Sequence, residues 1–375
     1  MRIAYFAPTP LPARTANSVH AMKMCAALAG LGHDVTLIGE RHADTSTTLD
    51  AHAICAYYNV APDFEIVLQP RILKSKFITA LVMALRALWR RPDCVHGRHV
   101  EACLLTALLG KTTGLEMHQL PKTPRKNRIV LFLADKLGTI PFVVVNCHAL
   151  RDDMVRHRPA LKDHIITAHN GADPPAACRQ ARLRPEDRIH AGYVGQLYPG
   201  KGMEAISELA AMCPDIIFDI VGGRDADIAY WQDKAGACRN IVFHGFQQQS
   251  QLPAFTARFD IVLAPYQPVT YGYANKQNIA QWTSPMKIFE YMAAGKAIVA
   301  SDLPVLREVL RHESNALLCD PKDVTQWRAA TQRLANDRTL RQQLGERAKQ
   351  EFLDYHTWHA RARIIANALK DKTAA

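Results

Sequence analysis

No apolar stretch in the 375-residue sequence approaches the ~20 residues that a membrane-spanning helix needs; the longest runs from Phe77 to Leu85. No two cysteines form a C-x-x-C pair. The nine, at positions 25, 55, 94, 103, 147, 178, 213, 238 and 319, are odd in number and far apart. That excludes a disulfide framework or a zinc finger and predicts buried free thiols in a reducing compartment. The N-terminal MRIAYFAPTP has neither the apolar stretch nor the small-residue cleavage site of a signal peptide. A cytoplasmic location is expected, with peripheral contact at the inner face of a membrane left open. There is no internal repeat or low-complexity tract, and 48% apolar residues exclude a disordered or collagen-like chain. Acidic residues are in deficit: 46 Lys and Arg face 35 Asp and Glu, a formal charge of +11. Such an excess suits anionic partners, whether nucleic acid, phosphorylated small molecules or acidic membranes. The basic residues lack interleaved aromatics and no recognition motif accompanies them, which argues against nucleic acid.

What is present is an alternation of short β-like runs with helical stretches. RIAYFAP, an amphipathic segment from Ser18 to Leu31 and DVTLIG come first; PFVVVN, HIITAHN, IHAGYVG, IIFDIVGG, NIVFHGF, DIVLAPY and AIVAS follow. Continuous Val/Ile/Leu strands with intervening helices predict parallel sheets covered on both faces. The alternation restarts after a Pro-, Arg- and Asp-rich loop. The expected organisation is therefore α/β, with two doubly wound Rossmann-like domains facing across a cleft: residues 1–172, a linker at 173–187, residues 188–355, and a C-terminal helix, 356–375, packing back on the first domain. A dinucleotide-binding domain lacks its marker, since Phe6 leads into APTPLPARTANS and not into G-x-G-x-x-G.

In such sheets ligands bind at the carboxyl ends of strands. GYVGQLYPGKG, from Gly192 to Gly202, reads as a strand ending near Val194, a glycine-bearing loop and a helix beginning near Gly202. Backbone amides at that helix start and the Lys201 ammonium make an anion cradle. A second anion site is expected in TSPMKIFEYMAAGKAIVASD: Ser284 as helix cap, Pro285 at the first helical position, and free amides through Met286. Lys287 and Glu290 share a helical face at i, i+3. A carboxylate at Glu290 suits two neighbouring sugar hydroxyls; an exposed ion pair is the plainer alternative. No metal-ligand spacing is convincing, and Asp225-Ala-Asp227 reads as a solvated turn. Asn17, Ser18 and His20 lie where the first helix begins, as caps or as cleft residues.

These segments, in this order, resemble the nucleotide-sugar domain of retaining GT-B glycosyltransferases of glycosyltransferase family 4. The likeness extends through ANSVHAMKMCAALAGLGHDVTLIG, EMHQLP, HNGAD, VGGRDAD and VFHGFQQQSQLPAFTARFDIVLAPY. The resemblance implies that Lys201 neutralises the donor diphosphate together with the loop residues Gly195, Gln196 and Gly200. It places the amides around Ser284 to Met286 beside the diphosphate and sugar, Glu290 on the ribose hydroxyls, and His118 near the reacting carbon. Gly222 and Gly223 would leave room for the nucleotide. Two positions depart from the family pattern. Gln196 stands where the phosphate loop often has Arg, and Trp282 stands where a first Glu of a Glu-x7-Glu pair is expected.

The resemblance implies a retaining transfer of sugar from a nucleotide diphosphate sugar, used as a co-substrate with no other cofactor and no metal, to a glycan or lipid-linked acceptor in surface polysaccharide or glycoconjugate assembly. A nucleotide-sugar epimerase and a non-catalytic nucleotide-sugar-binding protein are the alternatives. The charge divides unevenly: residues 1–180 carry 22 basic and 14 acidic side chains, residues 181–375 carry 24 and 21. The first half, at +8 against +3, suits an anionic acceptor. Within it, PKTPRKNR reads as a basic loop. The segment at 71–91 reads as a helix with Phe77, Ile78, Leu81, Leu85, Leu88 and Trp89 on one face and Lys76, Arg86, Arg90 and Arg91 mostly opposite, packed on its own sheet or resting on an anionic bilayer.

Overall fold

A computed structural model of the chain describes residues 1–41, 50–70, 75–174, 188–236, 238–270 and 278–373. Most of the expected linker, residues 175–187, and the start of the basic segment, residues 71–74, lie outside the described residues. The chain divides into two compact units, Met1–Asn170 with Trp358–Ala375, and Gly171–Thr357.

The first unit runs β1 (Arg2–Phe6), α1 (Ala16–Gly30), β2 (Asp34–Glu40), α2 (Ala51–Tyr57), β3 (Glu65–Gln69), α3 (Lys76–Trp89), β4 (Cys94–Gly97), α4 (Val100–Leu108), β5 (Thr113–Met117), α5 (Pro124–Lys136), β6 (Val143–Val145), α6 (His148–His157) and β7 (Ile165–Thr167). The second runs β8 (Ile189–Val194), α7 (Met203–Met212), β9 (Ile216–Val221), α8 (Asp225–Ala235), β10 (Ile241–Gly245), α9 (Leu252–Arg258), β11 (Ile261–Ala264), α10 (Met286–Ala293), β12 (Ala297–Ser301), β13 (Leu317–Cys319), α11 (Val324–Asn336) and α12 (Arg338–Tyr355). The last helix, α13 (Trp358–Thr373), belongs to the first unit and packs on α1.

Every described strand pairing is parallel. The orders are β3-β2-β1-β4-β5-β6-β7 and β10-β9-β8-β11-β12-β13. In both, the order reverses beside the first strand of the unit, between β1 and β4 and between β8 and β11. That is where the carboxyl ends of open α/β sheets leave a crevice. Burial on both faces explains the near-continuous apolar strands: Val143, Val144 and Val145 of β6 are all fully buried, as are Ile261, Val262, Leu263 and Ala264 of β11.

Local chemistry sets the helix starts, with four differences from expectation. Thr15 caps α1 and accepts from Ser18 N at 3.2 Å, so the helix begins ahead of Ser18. Thr123 caps α5 with Pro124 behind it, so Arg125, Lys126 and Arg128 occupy a helical first turn and not a loop. Asp225 and Asp227 open α8, where carboxylates favour the positive end of the helix, and Asp227 pairs with Arg224 at 2.7 Å. In α3 the buried stripe is Thr79, Ala80, Met83, Ala84 and Ala87, while Phe77, Leu85 and Trp89 are 60%, 53% and 81% exposed. Small residues let α3 approach its neighbours closely, and the larger apolar arc is turned outward.

Candidate functional site

In the second unit, β8 ends at Val194 and the chain turns through Gly195–Gly202 into α7. Side chains hold the loop by its carbonyls. Tyr193 Oη donates to Gln196 O at 2.7 Å, Trp231 Nε1 to Leu197 O at 3.0 Å, and Thr270 Oγ1 to Gly200 O at 2.9 Å. Gly195 has φ +149°, and a Cβ there would lie 2.7 Å from Lys287 Nζ. The glycine therefore admits the end of a lysine that comes from α10. Gly222 and Gly223 make room for the protein's own atoms: a Cβ on the first would meet Gly195 O at 2.3 Å, on the second Leu197 Cδ1 at 2.5 Å.

Two ammonium groups converge here. Lys201 Nζ lies 5.2 Å from the ring of Tyr198 and 5.0 Å from that of Tyr266; Lys287 Nζ lies 3.6 Å from the ring of Tyr193 and 5.2 Å from that of Tyr266. Lys287 Nζ is shielded from solvent and has no hydrogen-bond partner among the described residues. Burial lowers Lys201 to about 8. Burial and the nearby Lys201 hold Lys287 well below the ordinary lysine value, with Glu290 opposing. The aromatic faces favour the charged forms in part through cation–π attraction, and an anion entering this partly desolvated cradle favours them further.

The start of α10 adds amide donors. The cap position is Pro285, at φ −73° and ψ 124°, and not Ser284; no side chain caps the helix, and Met286 is its first residue. The extended ψ of Pro285 keeps it outside the helix, so the boundary falls one residue later than expected. Glu290 follows Lys287 by one turn, and Tyr291 Oη accepts from Val194 N at 2.8 Å, tying α10 to the end of β8. The structure thus brings together Gly195, Gln196, Lys201, Lys287 and the α10 start. Trp282 is buried in a short helical turn before α10.

Sequence reasoning passed over a histidine–aspartate cluster in the same unit. Asp219 of β9 accepts from His190 Nδ1 and His244 Nε2, each at 2.6 Å. Burial would raise its carboxyl, but the two histidines hold it at about 2.

In the first unit, a fully buried Glu116 near the carboxyl end of β5 organises a second cluster. Its Oε1 accepts from His118 Nε2 at 2.6 Å and from Arg361 Nη2 at 2.8 Å, and its Oε2 lies 3.1 Å from His96 Nε2. His20 Nε2 is 3.2 Å from Oε1 and its ring stands edge-on to His118, centroids 5.0 Å apart. Burial works against the carboxylate, yet Arg361, His20 and His118 hold it well below the usual range. His118 is pushed down to about 3 by burial and the Arg98 guanidinium, so its ring is neutral at pH 7. A carboxylate only accepts, so His118 carries its proton on Nε2 and leaves Nδ1 as the lone-pair nitrogen. Asn17 Oδ1 accepts from Arg98 Nη2 at 2.9 Å. Ser18 is structural: its hydroxyl donates to Ala13 O at 2.7 Å and lies 2.8 Å from Thr15 O.

His20, Glu116 and His118 place ligand atoms within 4.8 Å of one another, a grouping able to hold a metal ion. Arg361 already supplies the positive charge at Glu116 Oε1, which makes the cluster a poor cation site. Arg361 had a sequence signal: it falls three residues after Trp358 and four before Ile365, in the buried stripe of α13.

Residues 18–175 match the family model described as Glycosyltransferase Family 4, and residues 176–351 the model described as Glycosyl transferases group 1. The chain is 26% identical over 163 residues to a Bacillus subtilis (strain 168) glycosyltransferase named for teichuronic acid biosynthesis, TuaH, covering 41% of this chain and 38% of that one. It is 25% identical over 314 residues to the D-inositol 3-phosphate glycosyltransferase of Corynebacterium kroppenstedtii, covering 76% and 63%. It therefore spans less than two thirds of these relatives' lengths. Among solved structures, sucrose-phosphate synthase from Thermosynechococcus elongatus superposes with a TM-score of 0.72 at 17% identity, covering 100% of this chain and 99% of that one. Anabaena HepE, solved with UDP-glucose, gives 0.74 at 16%, covering 99% and 100%. Both likenesses carry the fold, GT-B. With the two family models running without a break from residue 18 to residue 351 over two parallel, doubly wound units, the chain belongs to the group 1 glycosyl transferases of glycosyltransferase family 4.

Proposed function

We propose that the protein is a retaining glycosyltransferase that moves a sugar from a nucleoside diphosphate sugar to a glycan or lipid-linked acceptor in surface polysaccharide or glycoconjugate assembly. The observation that supports it most is the cradle at the end of β8, where Lys201 and Lys287 converge on Tyr266 beside an uncapped helix start. The bond to be broken joins an anomeric carbon to a diphosphate that leaves with growing negative charge. Fixed ammonium groups and amides at the point where that charge appears lower the barrier without a metal. Glu290 accepts from the ribose hydroxyls, and Gln196, Ser284 and Met286 line the donor. His118 offers neutral Nδ1 to a sugar hydroxyl. The acceptor hydroxyl enters on the leaving-group face, and the donor phosphate takes its proton.

HepE is solved with UDP and with UDP-glucose, which makes a UDP-sugar the first donor to try. No helix among the described residues is long and apolar enough to cross a membrane. The exposed Phe77, Leu85 and Trp89 of α3, with Arg86 and Arg91 close in sequence, suit peripheral contact with an anionic bilayer carrying the acceptor. Lys201→Ala and Glu290→Ala are each expected to abolish sugar transfer while circular dichroism shows the fold intact. A fully active Glu290→Ala enzyme would sink the reading.

A further inference from the structure

Lys287 is set up unlike an ordinary phosphate-binding lysine. Its Nζ is out of contact with solvent and without a hydrogen-bond partner, although an ammonium carries three donors. The groups that act on it are the Tyr193 ring from β8, the Tyr266 ring after β11, Lys201 from the loop, and Glu290 on its own helix. Of the two charges that act on it, Lys201 repels an ammonium and Glu290 attracts one, and burial disfavours the charged form most of all. A neutral amine satisfies this surrounding better than a cation does. The same nitrogen nevertheless sits over Gly195, at the entrance to the phosphate loop. The loop itself presents one cation, Lys201, with the uncharged Gln196 next to Gly195.

We infer that a diphosphate entering this cradle draws a proton from solution onto Lys287 Nζ, so that nucleotide binding and proton uptake are one event. This rests on the donor-site reading above. The proton comes from solvent or buffer and joins the Nζ lone pair; no other bond forms or breaks. The dianion supplies the acceptors that the ammonium lacks, and Lys287 supplies from α10 the second positive charge that the loop lacks at position 196. An empty cradle then carries less fixed charge than a filled one, and departure of the nucleoside diphosphate returns the proton.

The test is calorimetric titration of the full chain with UDP, GDP and inorganic pyrophosphate in two buffers of different ionisation heat. At about pH 8 the terminal phosphate of UDP and GDP is fully ionised; pyrophosphate, which still carries a proton there, is read for binding only. The expected result is net proton uptake, part of it on Lys201, which burial lowers to about 8, and the rest on Lys287, with affinity falling as the pH rises above 8. In Lys287→Met uptake drops and affinity weakens. Lys287→Arg, whose guanidinium is always charged, restores affinity without restoring uptake. Binding without proton uptake, or uptake undiminished in both variants, overturns this inference and leaves the donor site standing. No binding of any of the three ligands overturns both.

Discussion

Glu116 and Lys287 are buried ionisable groups, one acidic and one basic, one in each unit, and the protein treats them differently. Around Glu116 the shell is complete: Arg361 and His118 on one oxygen, His96 on the other, with His20 behind. Around Lys287 the nearest groups are aromatic faces, and the ammonium nitrogen makes no hydrogen bond. A buried charge with every partner supplied by the chain is a structural device: it fixes the rings around it and has nothing left to bind with. A buried basic group whose partners are missing resists carrying its charge in the free protein and takes it up when a ligand of the opposite sign arrives. The contrast separates a residue that positions a site from one that waits for its substrate.

The comparison breaks most visibly at Glu116. Glu116→Ala removes the partner of a guanidinium that is only 2% exposed, and stranding one member of a buried pair costs about 3–5 kcal/mol. Urea unfolding followed through the fluorescence of Trp358 in a variant whose other four tryptophans are replaced by Phe should show that loss; a change under about 1 kcal/mol would mean that water or a neighbour takes over the role. Lys287 should behave in the opposite sense. With no hydrogen bond to lose, Lys287→Met in the ligand-free protein is expected to raise the unfolding temperature of the second unit by about 2–4 °C, the shift that ~1 kcal/mol gives in a unit of this size. A destabilised Lys287→Met protein would show that the lysine is held by its surroundings after all.

Legibility in the sequence tracked how far each feature depends on contacts distant along the chain. The β8 loop, α7 and α10 announce themselves through apolar runs, glycines and a proline, all local chemistry. The strands that escaped were β3, β4, β5 and β13, and two of them carry the first cluster. CVHG and TGLEM are broken by a histidine, a glutamate and glycines, so no continuous apolar run marks them, although all their residues are buried. The polar side chains that make the cluster hide the strands that hold it. Gly114 pairs in register with His96, and His96 Nδ1 bonds its carbonyl at 2.9 Å; neither contact leaves a trace in spacing. Lys287 beside Gly195 is likewise a meeting of β8 with α10 that periodicity cannot show. Its i, i+3 relation to Glu290 left an exposed pair open as the alternative to a ligand contact; Nζ turns inward toward Tyr193.

The central claim is that the second unit recognises the diphosphate and not only the nucleoside. Titration with UDP, UMP and uridine, with the guanosine series in parallel, tests it most directly. Charge-assisted hydrogen bonds of about 1.5–3 kcal/mol each predict that UDP or GDP binds at least about tenfold more tightly than its monophosphate, with the nucleoside weakest. Equal affinity for uridine, UMP and UDP, and for the guanosine set, would contradict it.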